Sequence, residues 1–261
     1  MRLELLVSAV NREPQELMEA MHLDSDAVII NQCGRDDSRE ITFGNHVIRY
    51  FESSECGVGR SRNNALDGAS GDIVLFSDED ITYDDGYSAR IIEAFKAHPD
   101  ADVLLFNVRV CEKRRTYYID SEHKVGFFNS GRYPAYSIAA RRERLLACGV
   151  RFSLLFGGGA PYSAGEDSLF LMDMVRQHLK IVAVPVEIGM EHERESSWFR
   201  GYTEKFFFDR GVLYHFLYKR LAIVFAARFI IAKRKVMCKK VPARKAFRLM
   251  LAGIKKGKGL K

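Results

Sequence analysis

Apolar and polar residues alternate in blocks along most of the chain. Continuous apolar runs, separated by segments of helical periodicity, are typical of strands buried in a parallel sheet and of the helices that cover it. Prolines such as Pro14 and Pro99 mark helix boundaries. The pattern therefore predicts an α/β fold with a doubly wound, mostly parallel sheet and helices on both faces. The predicted strands are residues 3–10, 27–31, 46–50, 73–76, 103–110 and 180–185, and the predicted helices are residues 14–22, 84–98, 141–148 and one that begins near Glu166.

Two regions depart from this alternation. Between residues 114 and 140 the blocks shorten, which predicts small strands and turns at the edge of the sheet. From residue 197 onward the periodicity is helical, but charges interrupt the apolar run before it reaches the roughly 20 residues that span a bilayer. Its apolar residues do not gather on one face, so we expect burial against the body or a second copy. The last stretch, GIKKGKGLK, is predicted to be disordered.

The segment between residues 57 and 80 combines a glycine turn, a helix start, a buried strand and an acidic cluster. Gly57 and Gly59 suit a tight turn into a helix. Arg60 and Arg62 follow in its first turn, where free backbone N–H groups favour an anion. This helix start is therefore a predicted phosphate site.

Two carboxylates, Asp78 and Asp80, come directly after the apolar strand. In an extended chain, residues two apart point the same way, so both can reach one hard cation such as Mg²⁺ or Mn²⁺. Taken alone, an acidic turn after a strand is more often a solvated surface feature. The adjacent basic helix start favours a divalent metal bound together with a diphosphate.

Composition narrows the class and the compartment. Hydrophobic residues make up 47% of the 261 residues and charged residues 28%, as in ordinary globular proteins. The five cysteines are odd in number and include no CxxC pair, which argues against a disulfide framework and a structural zinc site. The N-terminus, MRLELLVSAV, is too short and carries an acid too early for a secretory signal. The expected location is therefore the cytoplasm.

Charge is distributed unevenly between body and tail. From residue 200 onward there are 18 Lys and Arg against two acids, whereas the remainder holds 22 basic and 32 acidic residues. A basic tail on an acidic body implies an anionic partner for the tail. The basic clusters at 233–235, 239–240 and 255–256 fit an anionic membrane surface on the inner face of the cell membrane. A solvated helical tail is the alternative, and nucleic acid is disfavoured because no nucleic-acid-reading motif is present.

Four short motifs stand at strand ends or helix starts: Asn11-Arg12, Ser61-Arg62-Asn63, Asp78-Glu79-Asp80 and Glu166-Asp167. In their joint order they resemble the family 2 glycosyltransferases of the GT-A fold. The resemblance covers about residues 1–198, and no single motif is specific. Two segments depart from the family pattern: Gln32 replaces the usual acid that reads the base, and Ser8-Ala9-Val10 replaces Pro-Thr-Tyr. Gln32 still offers a paired donor and acceptor to a uracil edge.

The resemblance implies a role for each matching residue. Asp167 would be the general base and Glu166 would orient the acceptor, although acids in the first turn of a helix also simply complement its dipole. His192 would complete a Mn²⁺ or Mg²⁺ site with Asp78 and Asp80, and a structural histidine is the alternative. The expected acceptor side includes Gly158 and Gly159, where bulky side chains would block access of a sugar. Trp198 either stacks on the acceptor sugar or joins the body to the tail. The implied nucleotide-binding residues are Ala9, Asn11, Arg12, Gln32, Arg60, Arg62, Asn63 and Asp78.

The expected function is that of an inverting, metal-dependent glycosyltransferase. A sugar would pass from a nucleotide diphosphate, expected to be UDP, to a hydroxyl of a glycan or lipid-linked glycan in surface polysaccharide synthesis. The catalytic domain would span residues 1–198, followed by a basic helical extension at 199–261, and a homodimer is conceivable. A sugar-nucleotide nucleotidyltransferase would need a glycine-rich loop where this chain has SAVNREP. A non-catalytic module that binds a membrane or nucleic acid is the third class.

Overall fold

The computed structural model describes residues 1–110, 117–192 and 201–260, and within them ten strands form one sheet. The strands are β1 (Leu3–Val10), β2 (Asp26–Gln32), β3 (Asp37–Phe43), β4 (His46–Ser53), β5 (Ile73–Asp78), β6 (Ile81–Tyr83), β7 (Val103–Arg109), β8 (His123–Val125), β9 (Ile138–Arg141) and β10 (Ile181–Glu191). The helices are α1 (Pro14–Met21), α2 (Val58–Gly68), α3 (Tyr87–Ala97), α4 (Arg142–Cys148), α5 (Glu166–Arg176), α6 (Glu204–Tyr218), α7 (Ala222–Met237) and α8 (Ala243–Lys258).

The sheet is mostly parallel and covered on both faces, as the sequence predicts. Its order is β3-β4-β2-β1-β5-β9-β7-β10-β6, with β8 paired to β10, and only β3, β6, β8 and β9 run against the others among the described strands. Leu5 and Leu6, adjacent in β1, are both fully buried but belong to different apolar clusters. One cluster packs under α1 and α3 and the other under α2 and α5. The predicted α/β architecture is confirmed.

Parallel pairing brings the carboxyl ends of three strands to one edge. Ser8 of β1 lies opposite Asp78 of β5, and Val10 lies opposite Gln32 of β2. The glycine turn and α2 follow β4, which pairs with β2 on the other side. In sheets of this kind ligands bind at the carboxyl ends of the strands, so the sheet delivers the predicted nucleotide and metal residues to the expected place.

Two local predictions were wrong. The sequence analysis omits β3, which forms an antiparallel hairpin with β4 and whose side chains are largely exposed, so it lacks an apolar run. The helix predicted at residues 84–98 begins instead at Tyr87. Asp84 does not open it, because its carboxylate accepts hydrogen bonds from Arg109 at 2.5 and 2.8 Å.

The C-terminal helices form a third apolar cluster with residues of the body. Phe156 and the α5 residues Leu169 and Met172 pack with apolar side chains of α6, α7 and α8. The predicted helical extension is therefore present, while the predicted domain boundary at 198/199 falls outside the described residues. No helix in the described ranges is both long enough and apolar enough to cross a bilayer.

The predicted disorder of the last stretch was wrong, because α8 continues to Lys258. Its glycines lie where α8 crosses α6. A Cβ on Gly253 would collide with the backbone carbonyl of Phe208, and one on Gly257 would lie 2.8 Å from Cβ of His215. Glycines four residues apart share a helix face, so here they permit close helix packing.

Helix α6 is held against the loop before α5 by hydrogen bonds of one carboxylate and by the packing of one leucine. The carboxylate of Asp209, which is 2% exposed, accepts from both the backbone N–H and the hydroxyl of Ser163, at 3.0 and 2.9 Å. Leu213 occupies the space that a side chain at Gly165 would need. The extension therefore fixes the segment that leads into Glu166 and Asp167.

Replacing Gly253 with valine should separate α6 from α8. At a solvent-exposed position of a helix, replacing glycine with valine would be neutral or slightly stabilising, because valine has a higher helix propensity than glycine. At this crossing the added atoms meet backbone, so we expect a loss of about 3 kcal/mol in the free energy of unfolding, measured by urea titration. Ala252→Val, at the exposed neighbouring position, is the control and should change the free energy of unfolding by about 0.5 kcal/mol. Equal unfolding midpoints for the two variants would contradict the close packing.

Candidate active site

A buried arginine gathers three carboxylates from two elements, one from β5 and two from α5. Arg62 of α2 is 3% exposed, and its Nη2 donates to Oδ1 of Asp78 at 2.9 Å. Its Nη1 donates to Oδ1 of Asp167 at 2.8 Å and approaches Oε1 of Glu166 at 3.5 Å. The guanidinium also lies 5.2 Å from the ring centre of Phe152. Arg62 thus joins the end of β5 to the start of α5.

The electrostatics of this cluster follow from burial and charge. Burial, and after it the negative charge of Glu166, raise the pKa of Asp167 to about 7, although the positive charge of Arg62 opposes them. Burial lowers the pKa of Arg62, but the charges of Asp78, Asp167 and Glu166 outweigh it and hold that pKa above its ordinary value. Asp167 is therefore a carboxylate poised to exchange a proton near neutral pH.

The start of α2 is closed off by other parts of the chain. The N–H of Gly57 donates to Oε1 of Gln32 at 2.7 Å, and the N–H of Val58 donates to the carbonyl of Gly158 at 3.0 Å. Two of the N–H groups at the predicted phosphate site are thus already bonded within the protein. Gln32, predicted to bind the base, uses its carbonyl oxygen to fasten the glycine turn and keeps its Nε2 as a donor.

The glycine loop at 156–160 packs against this turn. Gly157 has a φ of 105°, and a Cβ there would lie 2.8 Å from Cδ of Glu166 and from Cγ1 of Val58. A Cβ on Gly159 would lie 3.1 Å from Cα of Gly57. From the sequence, the missing side chains of this loop were expected to give a ligand access. In the structure their absence lets the loop, α2 and Glu166 approach each other. Contact of Gly158 and Gly159 with an acceptor stays a prediction.

The two other predicted residues of α2 have structural partners. Asn63 donates to the carbonyl of Phe152 and accepts from its N–H, both at 2.9 Å, and so holds the irregular segment that leads to the glycine loop. Arg60 forms an exposed ion pair with Glu55. The predicted roles of Arg60, Arg62 and Asn63 toward a diphosphate stay predictions, and each would require these bonds to be exchanged or shared.

The turn after β1 is held by residues that the sequence analysis did not identify. Asn31, 2% exposed, accepts from the N–H of Arg12 and donates to its carbonyl, both at 3.0 Å. The hydroxyl of Tyr50 donates to the same carbonyl at 2.6 Å. Asn11 has a φ of 51°, while Ala9 is buried in β1. A polar Asn31 at the end of an apolar run was the available signal, because buried amides need partners.

The predicted metal residues lie at the ends of β5 and β10. The carbonyl of Asp80 accepts from the N–H of His192 at 2.9 Å, so these two residues are neighbours. Asp80 follows in a turn after β5 rather than in the extended chain that the prediction assumed, and Asp78 faces Arg62. The joint use of the two carboxylates on one cation stays a prediction. The ring Nε2 of His192 lies 2.7 Å from Oγ1 of Thr82.

The donor chemistry still fits a hard divalent cation. Two carboxylates and one imidazole at a strand end suit Mn²⁺ or Mg²⁺, and His192 stands beside Asp80. Across residues 1–110, 117–192 and 201–260, no group of three or more His, Cys, Asp or Glu side chains is gathered for a metal. The three predicted ligands therefore stay a prediction based on position and chemistry.

A cavity of about 380 Å³ opens beside Asp167. Tyr136 and Glu191 line it, and the hydroxyl of Tyr136 donates to Oε2 of Glu191 at 3.1 Å. Arg132 and Arg210 line it too, and within the described residues neither pairs with an acidic side chain. The sequence analysis missed Arg210, which comes from α6. Trp198, a predicted acceptor residue, lies outside the described residues.

Comparison with known proteins places the chain in a family. The family model described as "Glycosyl transferase family 2" matches residues 3–156. The chain belongs to this family. The predicted family, the glycosyltransferase class and the GT-A fold are thereby confirmed, and the nucleotidyltransferase and non-catalytic alternatives are set aside. None of the curated proteins compared with this sequence matches it.

Solved glycosyltransferases share the fold of this family member. TarS of S. aureus, residues 1–349 in complex with UDP-GlcNAc, is 19% identical with a TM-score of 0.61, over 92% of this chain and 74% of that chain. A second structure of TarS 1–349 is 15% identical with a TM-score of 0.62, over 97% of this chain and 81% of that chain. The mannosyltransferase PcManGT of Pyrobaculum calidifontis, with GDP-Man and Mn²⁺, is 15% identical with a TM-score of 0.53, over 98% and 86%. At these identities the likeness concerns the fold.

Replacing Arg62 with leucine should destabilise this glycosyltransferase strongly. Three carboxylates would lose their common cation in a buried place, so we expect a loss of about 3–5 kcal/mol in the free energy of unfolding. The measurement is urea titration near pH 8, where Asp167 is ionised. Lowering the pH should reduce the loss, because the leucine variant can then protonate its acids.

Arg60→Leu is the matched control, two residues away on the same helix. The ion pair of Arg60 with Glu55 is exposed, so the free energy of unfolding should change by no more than about 1 kcal/mol. A similar loss in the two variants would mean that Arg62 is not the electrostatic centre of the site.

Proposed function

We propose that the protein is an inverting, metal-dependent glycosyltransferase that moves a sugar from a UDP-sugar to a hydroxyl of a glycan or lipid-linked glycan. The observation that carries this proposal is the Arg62 cluster, which joins Asp78 at the donor edge to Asp167 beside the cavity. Family membership supplies the reaction class, and the cluster supplies the residues. Catalysis would use residues 1–198, with residues 199–261 as a basic helical extension.

The donor diphosphate is proposed to bind at the carboxyl ends of β1, β2 and β5. Asp78, Asp80 and His192 are the proposed ligands of Mn²⁺ or Mg²⁺, which would supply charge neutralisation for the departing diphosphate. The choice of manganese is supported by the Mn²⁺ in the PcManGT structure. UDP is favoured by the UDP and UDP-GlcNAc complexes of TarS. Gln32 would contribute its Nε2 to the base.

Asp167 is the proposed general base. Inverting transfer requires a group that takes the proton of the acceptor hydroxyl as that oxygen attacks the sugar. Asp167 lines the cavity, and its raised pKa, about 7, suits a base that must hold a proton briefly at neutral pH. The base works only when ionised, so transfer should fall as the pH drops below about 7. Arg62 fixes its orientation.

The acceptor is proposed to enter the cavity beside Asp167. Glu166 would act indirectly, since its Oε2 accepts from the N–H of Gly165 at 3.0 Å and so shapes the start of α5. Tyr136 and Glu191 offer hydroxyl and carboxylate groups of the kind that bind sugar hydroxyls. Surface polysaccharide synthesis is the proposed context, and its support is a basic tail suited to a lipid-linked intermediate.

Asp167→Asn should remove transfer while leaving the fold intact. An amide cannot accept the proton, so the turnover rate should fall by about 10²–10⁴-fold. The assay is transfer from a radiolabelled nucleotide sugar to a membrane-derived glycan fraction. Asp173→Asn, at the exposed end of the same helix, is the control and should keep full activity. Full activity in Asp167→Asn would refute the assignment of the base.

Donor binding should depend on metal and on Asp80. A ligand that binds only the folded state raises its stability by about 2.7 kcal/mol at 100 times the dissociation constant. We therefore expect one member of a nucleotide-sugar panel to raise the melting temperature in the presence of Mn²⁺ and to lose that effect with chelator. Asp80→Ala should lose the effect and Asp85→Ala, an exposed acid nearby, should keep it. Stabilisation of equal size with chelator would refute the metal site.

A further inference from the structure

Helix α7 leaves apolar side chains on its outer surface. Leu221 (48%), Ile223 (51%), Val224 (63%), Ile231 (69%) and Val236 (59%) are exposed, whereas α6 and α8 pack their apolar residues into the third cluster. Val224 and Ile231 are seven residues apart and therefore lie in one row along the helix. These five residues, Leu221 immediately before α7 and four within it, are called the α7 face below. They are concentrated in one short segment, whereas isolated exposed apolar residues are normal elsewhere.

The α7 face lies in the most basic part of the chain. Residues 219–260 contain 14 Lys and Arg and not one Asp or Glu. Arg228 is exposed between Val224 and Ile231, and the exposed run 233–235 follows on the same helix. Exposed apolar residues and exposed cations are the two kinds of side chain with which proteins bind the interface of an anionic bilayer, and α7 carries both.

An aromatic residue of the body adds to this surface. Phe128 is 79% exposed, and its ring centre lies 5.1 Å from that of Phe127. Phe127 in turn packs against Phe225 of α7, with ring centres 6.1 Å apart. The exposed ring therefore stands next to α7.

The α7 helix also adjoins the cavity that holds Asp167. The guanidinium of Arg210, which lines that cavity, lies 5.6 Å from the ring centre of Phe229 in α7. The helix that carries the α7 face therefore packs, through its inner side, against a residue that lines the cavity.

We infer that the α7 face docks on an anionic lipid bilayer, with its apolar side chains and Phe128 in the headgroup region and the surrounding Lys and Arg on lipid phosphates. The positive charge around the α7 face favours an anionic bilayer over the other two partners considered. A second copy would bring another 14 cations against the first, and a nucleic acid would leave five apolar side chains without an apolar partner. The docking itself does not depend on catalysis, although it would bring a lipid-linked acceptor to Asp167.

Vesicle co-sedimentation tests the inference without any activity assay. The full chain should pellet with vesicles of phosphatidylcholine and phosphatidylglycerol, pellet weakly with phosphatidylcholine alone, and be released as salt rises. Replacing Lys233, Arg234 and Lys235 together with glutamine should weaken binding by about 100-fold, since each cation near the surface contributes close to one factor of five. The double variant Val224→Glu, Ile231→Glu should weaken it by at least about tenfold.

Val47→Glu is the matched control, because Val47 is an exposed apolar residue of β4 in the body. It should bind vesicles as the wild type does, and melting curves should show that all three variants remain folded. Absence of wild-type binding to the anionic vesicles, or equal binding by wild type and both α7 variants, would overturn the inference.

Two further outcomes would also overturn it. One is a stable dimer in sedimentation velocity that Val224→Glu, Ile231→Glu dissociates, which would assign the face to a second copy. The other is retention on duplex DNA that exceeds retention on anionic vesicles at equal salt. Because none of these measurements involves sugar transfer, a failure here is distinguishable from a failure of the proposed function.

Discussion

A single buried cation organises the catalytic side of this molecule. Arg62 is almost entirely shielded from water, and a buried charge is tolerated only when it is paired and hydrogen bonded. Its partners come from the end of β5 and the start of α5, so the requirement to pair one guanidinium fixes the position of Asp78 relative to Asp167, the proposed base. The same requirement explains why Asp167 can remain a carboxylate in a place that otherwise favours its neutral form.

Close backbone approach at glycines is the second constraint, and it acts at two places. Gly157 and Gly159 bring the loop before α5 against the start of α2, and Gly253 brings α8 against α6. From the sequence, the glycines of the loop were interpreted as room for a ligand, and Gly253 as part of a disordered end. In the structure they serve packing, because the neighbouring backbone already occupies the space that a side chain would need.

Local periodicity predicted the parallel strands, the helices that cover them and the edge at which Asp78, Asp80 and Gln32 lie. These features depend on residues close together in the chain, such as the apolar run of β5. Periodicity could not predict the pairing of Arg62 with Asp167, since the two are 105 positions apart. It also missed the exposed strand β3, which lacks an apolar pattern, and the face of α7, since the exposed side of a helix depends on what its neighbours cover.

The contacts of Asp209 with Ser163 and of Leu213 with Gly165 have a consequence for how such a protein can be altered. They place the extension in the wall of the catalytic site rather than behind it. A catalytic domain from another member of the family could therefore not simply be joined to these helices, nor these helices exchanged for others. The loop before α5 and helix α6 have to be transplanted as one unit.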